Sequence, residues 1–156
     1  MSMTFKIYAR HENIDVTATG EFSLEEAKLH FLDIVRSIQH HKIGKVLVDG
    51  REITGAPRLL ERFFYGHFVA DTVRGLIDRG WDGPEIQFAY VLEEPVLHRF
   101  RLGEAAAANR GLNVRAFDNI KEGIDWLLFD PAELEVTAEP LEQILHEHML
   151  HKHKAH

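Results

Sequence analysis

The stretch KVLVDG, residues 45–50, constrains the fold of this chain more than any other. Val46, Leu47 and Val48 are apolar in succession, and successive side chains of a strand point to opposite faces. A strand written this way suits a sheet with helices packed on each side. The segments around it support that arrangement. FKIYA (5–9) and IDVTATG (14–20), separated by RHEN, predict a hairpin. A first helix follows. Ser23 with Glu26 three residues later forms a capping box, and Leu24, Ala27, Phe31, Ile34, Val35 and Ile38 share one face. Pro57 suits the first turn of a second helix that runs to about Asp78. EIQFAYVL (85–92) reads as a strand, and VLHRFRLGEAAAANRG (96–111) as a third helix closed by Gly111. NVRAFDN (113–119) predicts the last strand and IKEGIDWLLF (120–129) a fourth helix. The order ββαβαβαβα gives an α/β domain over residues 1–130, with a mixed sheet of about five strands and packed helices. Pro131 stops the fourth helix. Residues 131–156 then read as a linker and a C-terminal, amphipathic, histidine-rich helix.

Composition removes several classes of function. At 156 residues the chain can bury a core unaided by disulfides, and it has no cysteine for thiol catalysis or Cys-based zinc sites. Its 18 Lys and Arg against 25 Asp and Glu give a formal charge of −7, which argues against nucleic-acid partners and anionic membrane surfaces. The N-terminus lacks an apolar signal core, and no window approaches the roughly 18 apolar residues of a membrane span. A cytoplasmic location without membrane insertion is therefore expected.

KVLVDG, the following REITGAP that leads into a helix, and the closing VRAFDNIKEGIDWL resemble the STAS domain family. That family includes anti-sigma-factor antagonists and the cytoplasmic domains of sulphate transporters. The likeness spans roughly residues 5–128 in element order and is greatest to small stand-alone bacterial members without an assigned role. It implies a regulatory, protein-binding domain. In the antagonists a serine at the start of the second helix is phosphorylated. Asp49 matches the aspartate ending the family's strand, so the acceptor position falls near Ala56, Pro57, Arg58 and Leu59, where no hydroxyl stands. The last serine is Ser37, and Thr54 is the one hydroxyl of this loop. The resemblance thus implies a member without the serine switch.

The loops after Val48, Leu92 and Phe117 are expected to meet at the carboxyl ends of the strands, where open α/β sheets bind ligands. They would gather Asp49, Arg51, Glu52, Glu93, Glu94 and Asp118. Such a corner could hold magnesium and support metal-dependent chemistry, or consist of solvated loop charges. Other catalytic signatures are absent. Serines occur only at 2, 23 and 37, and there is no G-x-S-x-G, P-loop or dinucleotide glycine pattern. His11, His30, His67 and His98 stand singly, and Arg99 and Arg101 beside Phe100 read as ion-pair partners before they read as an anion grip. No cofactor is implied. His148 and His151, at i and i+3, could share an adventitious metal ion.

The second helix is the unusual element. At about 100° per residue, Leu59, Phe63, Gly66, Ala70, Val73 and Ile77 form one stripe, expected to face the sheet. Leu60, Phe64 and Phe68 fall well away from it, with Tyr65 and Val69 on a further side. Outward-facing phenylalanines mark an interaction site. A candidate cover is the C-terminal helix, with Leu141, Ile144, Leu145 and Met149, either on its own chain or on a second subunit; alternatively the aromatic helices of two subunits meet directly. The sequence therefore predicts a non-catalytic interaction module, homodimeric and able to take a protein partner, with Leu60, Phe64, Phe68, Leu141, Ile144 and Leu145 at the interface. Asp49, Arg51, Thr54, Glu93 and Asp118 are the candidate ligand residues. The alternative is a carrier of a small apolar or lipid-like ligand, because the broader fold resembles lipid-carrying domains with movable helices.

Overall fold

The computed structural model of the chain describes residues 2–55, 59–94, 96–98, 100–101 and 113–129, and of residues 59, 60, 62 and 63 only the backbone. Five strands lie in sequence order across one sheet: β1 (Thr4–Ala9), β2 (Ile14–Glu21), β3 (Lys45–Thr54), β4 (Gln87–Val91) and β5 (Asn113–Phe117). β1 pairs antiparallel with β2, and each later pair is parallel, so the sheet is mixed. Helices α1 (Leu24–His41), α2 (Leu59–Asp78) and α3 (Ile120–Leu128) pack on it, and residues 96–98, 100 and 101 are also helical. Gly111, Pro57, Pro131 and all residues from 130 onward lie outside the described residues.

The apolar run in β3 divides between the two faces as the pleat requires. Val46 and Val48 join the larger core with Ile34 and Ile38 of α1 and Val69 and Val73 of α2. Leu47 points the other way, into a smaller core with Ala89, Val91 and Leu127 of α3. α3 comes close because residue 123 is glycine; a Cβ there would sit 3.0 Å from Leu47 Cδ1. Its N-cap Asn119 accepts a bond from the Glu122 amide at 2.9 Å.

α1 buries Ala27, Phe31, Ile34, Val35 and Ile38, the face read from the sequence. Ser23 caps it, accepting from the Glu26 amide at 3.3 Å. The other half of the expected capping box is replaced. Glu26 Oε2 instead accepts from the backbone nitrogen of Met3 at 3.1 Å, while His30 Nε2 lies 2.9 Å from the Met3 carbonyl. The carboxylate therefore anchors the strip before β1, and Met3 is buried.

β3 runs four residues further than its apolar pattern indicates. Thr17 pairs with Asp49 but Thr19 with Glu52, so β3 holds one extra residue there, a β-bulge. Arg51 to Thr54, expected as a loop, are strand residues, and Glu52 to Thr54 pair beyond the bulge with the end of β2.

Candidate functional site

The bulge shapes the corner at the carboxyl end of the sheet. It returns Arg51 towards Asp49, and the guanidinium meets the carboxylate with two bonds of 2.9 Å each, Nε to Oδ1 and Nη2 to Oδ2. The Arg51 amide adds a third at 3.2 Å. These bonds hold the Asp49 carboxyl below its usual range, against a partial burial that opposes the shift. Asp49 in turn raises Arg51, and the fields of Glu93 and Glu52 add to it. Four of the expected corner residues, Asp49, Arg51, Glu52 and Glu93, therefore share one electrostatic neighbourhood. The remaining candidates are engaged separately. Glu94 Oε2 accepts from the His98 amide at 3.3 Å. Asp118 accepts from its neighbour Asn119 Nδ2 at 2.8 Å. Thr54 ends β3, and its carbonyl accepts from the Phe22 amide at 2.9 Å. Among the described residues no group of three His, Cys, Asp or Glu is placed to hold a metal ion.

α2 is rotated about its axis from the orientation its wheel indicates, keeping Ala70 and Val73 of the expected stripe in the core. Val69, Ala70, Val73 and Leu76 are buried, and Tyr65 and Phe68 pack against the same core. Ile77, expected in the core stripe, is 53% exposed. Phe68, expected on the outer face as a partner residue, is half-buried; its ring meets Phe31 edge-on at 6.1 Å, and Lys28 Nζ lies 5.8 Å above it. The reason is the neighbour. α1 places Phe31 between Tyr65 and Phe68, and the edge-on pairs that result bury two aromatic rings at once. Phe64, one turn before Phe68, remains 50% exposed as expected for a surface residue. The side chain of Leu60, and Leu141, Ile144, Leu145, His148 and His151 entirely, lie outside the described residues.

Beneath α2 the aromatic cluster contains two phenols: Tyr65, which the sequence places off the core stripe of α2, and Tyr90, which the sequence reading did not single out. Tyr90 of β4 stacks near Phe100 at 4.9 Å and Phe88 at 6.4 Å. Burial pushes the Tyr90 hydroxyl up to about 12, with the facing Tyr65 hydroxyl pulling modestly the other way. Tyr65 is raised well above its ordinary value by burial first and by Tyr90 second. A second missed residue is Leu29 of α1, 64% exposed. Its signal was present in the sequence, since it lies off the stripe formed by Phe31, Ile34 and Ile38.

No family model and no curated protein sequence matches this chain. Solved structures do. An anti-sigma factor antagonist from Mycobacterium paratuberculosis overlays with a TM-score of 0.50 at 8% identity, covering 81% of this chain and 94% of its own. An uncharacterized protein from the DUF3478 family with a SpoIIAA-like fold, from Shewanella loihica PV-4, overlays with a TM-score of 0.47 at 16% identity, covering 80% of this chain and 93% of its own. The fold is thus STAS-like, as the sequence resemblance implies. Among the described residues no helix is long and apolar enough to cross a membrane.

Proposed function

We propose that this protein is a non-catalytic regulatory module of the cytoplasm that binds another protein and also self-associates. The observation that supports it most is Phe64, a large aromatic half-exposed on the first half of α2. Exposed aromatics of this kind are enriched where proteins meet. The fold adds to the case, because the overlaid protein from Mycobacterium paratuberculosis is by name an antagonist of a protein factor. The proposed partner face comprises Phe64 with Leu60, and Leu141, Ile144 and Leu145 as further contributors; Phe68 serves the core. With no hydroxyl at positions 56–59, the proposed binding is independent of a serine switch.

A photo-crosslinking residue at position 64, compared with one at exposed position 78, tests this in the native cells. A discrete protein adduct from position 64 alone, lost when an excess of the parent protein competes but kept when a Phe64→Asp copy is added instead, supports the reading. Absence of any protein adduct overturns it. So does a small mass retained in native mass spectra and lost only on unfolding, which would establish the apolar-ligand carrier instead.

A further inference from the structure

α1 presents a second surface on the side opposite its buried stripe. There Glu25, Leu29, Leu32 and Arg36 follow one another at spacings of four, three and four residues, the spacing of a seam between two helices. Leu29 is 64% exposed, Leu32 is half-buried, and Glu25 and Arg36 are exposed. Lys28 and Asp33 flank the seam on either side. Asp33 is paired within the helix with Arg36, and the Lys28 ammonium reaches over Phe68.

The order of these side chains is self-complementary. In a two-fold interface, if one residue meets another, the second also meets the first. Let two copies of α1 lie antiparallel with the axis between positions 30 and 31. Leu29 then meets the partner's Leu32 and Glu25 meets the partner's Arg36, while Lys28 and Asp33 stay on opposite flanks, each beside the same flank of the partner. Both seam pairings are favourable, and each occurs twice. Centring the axis on Leu29 instead would set Glu25 against the partner's Asp33, so charge selects the register. Net charge points to the same face. A chain of formal charge −7 repels its own copies over most of its surface. This face carries Glu25 and Asp33 against Lys28 and Arg36, and is neutral.

We infer that the outer face of α1 is a homodimer interface, formed by antiparallel packing of α1 on the α1 of a second copy. The inference rests on the self-association in the proposed function and gives it a location apart from Phe64.

Sedimentation velocity of the full chain from about 1 to 100 µM, the range of ordinary dimer affinities, tests it. The parent is expected to dimerise. Glu25→Arg and Arg36→Glu each place like charges opposite one another twice and are expected to weaken the dimer at least about tenfold. The double variant restores complementary pairs and is expected to dimerise again, with circular dichroism confirming that each variant is folded. Leu29→Glu, at a site already largely exposed, provides a further monomerising variant should Glu25→Arg fail to fold. A parent that stays monomeric throughout the range overturns the inference. So do single variants that dimerise like the parent, or a folded double variant that stays monomeric. A protein adduct at position 64 together with a monomeric parent would remove the dimer and leave the partner surface standing.

Discussion

Gly44 and Gly66 are expected to respond in opposite directions to one substitution. Gly44 immediately precedes β3, and its carbonyl accepts from the Gln87 amide at 2.8 Å, the first rung between β3 and β4. A Cβ built on Gly44 would fall 2.2 Å from the Glu85 carbonyl oxygen, 2.9 Å from its carbon and 3.1 Å from the Pro84 oxygen, where ordinary contact begins at 3.4 Å. All three are backbone atoms, so no side chain can rotate away. The Pro84–Glu85 segment would have to retreat by more than about 1 Å, the gap between those distances. That retreat strains the Gln87 rung and the 2.9 Å bond from Trp81 Nε1 to the Pro84 carbonyl. Overpacking costs about 1–3 kcal/mol and a weakened hydrogen bond about 1 more, so Gly44→Ala should lose roughly 2–4 kcal/mol. Gly66, inside α2, has no atom of the described residues within 4 Å of its built Cβ. Gly66→Ala should therefore gain about 0.5–1 kcal/mol from helix propensity alone. Urea titrations followed by far-ultraviolet circular dichroism measure both. A Gly44→Ala protein within about 0.5 kcal/mol of the parent would refute the close approach of the two backbones, and a destabilised Gly66→Ala would refute the open space over α2.

Three further outcomes follow from the same contacts. Arg51 holds Asp49 below its ordinary range, so the pair's contribution is present above the unfolded carboxylate value and lost as pH falls through the lowered one. The stability gap between parent and Arg51→Ala, under about 1 kcal/mol for so exposed a pair, should close in acid; a gap constant from about pH 7 to pH 2 would contradict it. Burial raises Tyr90 to about 12, so the unfolded chain ionises first, near about 10, and stability falls as pH climbs from there. Tyr90→Phe should flatten that fall in urea titrations across about pH 9.5 to 11.5, and equal slopes would count against a buried phenol. Ser23→Ala removes the bond to the Glu26 amide and should cost about 1 kcal/mol, with faster hydrogen exchange in the first turn of α1; unchanged exchange there would show that Ser23 is not the cap.

The element order was legible because each strand and most helices carry a strong local signal. Val46, Leu47 and Val48 gave the two-faced strand, and the α1 stripe from Ala27 to Ile38 matched the buried face residue for residue. The end of β3 was not legible. Arg51, Glu52 and Thr54 have loop-like chemistry, and only the pairing of Glu52 to Thr54 with β2 beyond the bulge extends the strand through them. The orientation of α2 failed for another reason. Leucine, phenylalanine, tyrosine and valine occur all round its first half, so the wheel has no dominant direction. The choice falls to Phe31 of α1, which a count along α2 alone does not contain. The corner was half legible. Proximity of Asp49, Arg51, Glu52 and Glu93 follows from parallel strands, whereas the two-bond pairing of Arg51 with Asp49 depends on the bulge.

The uneven covering of the sheet bears on where partners can act. α1 packs on β1 and β2 from one side, while α3 packs on β3, β4 and β5 from the other. The remaining face of β1 and β2 carries Thr4, Lys6, Tyr8, Asp15, Thr17 and Thr19, nearly all of them polar side chains that water satisfies without a partner. Large apolar exposure on the described helices of the opposite layer falls instead on Leu29 of α1 and Phe64 and Ile77 of α2. Lys28 joins α1 to α2 by lying over Phe68, one turn from Phe64, so the proposed dimer seam and the proposed partner face adjoin. Two occupants of adjoining surfaces are linked wherever each changes the affinity for the other. If a second copy alters the affinity for a partner at Phe64, the partner must alter dimerisation by the same factor. Measuring the dimer constant with and without the crosslinked partner would therefore give the coupling from either side, and unequal factors would show that the two surfaces do not belong to one linked equilibrium.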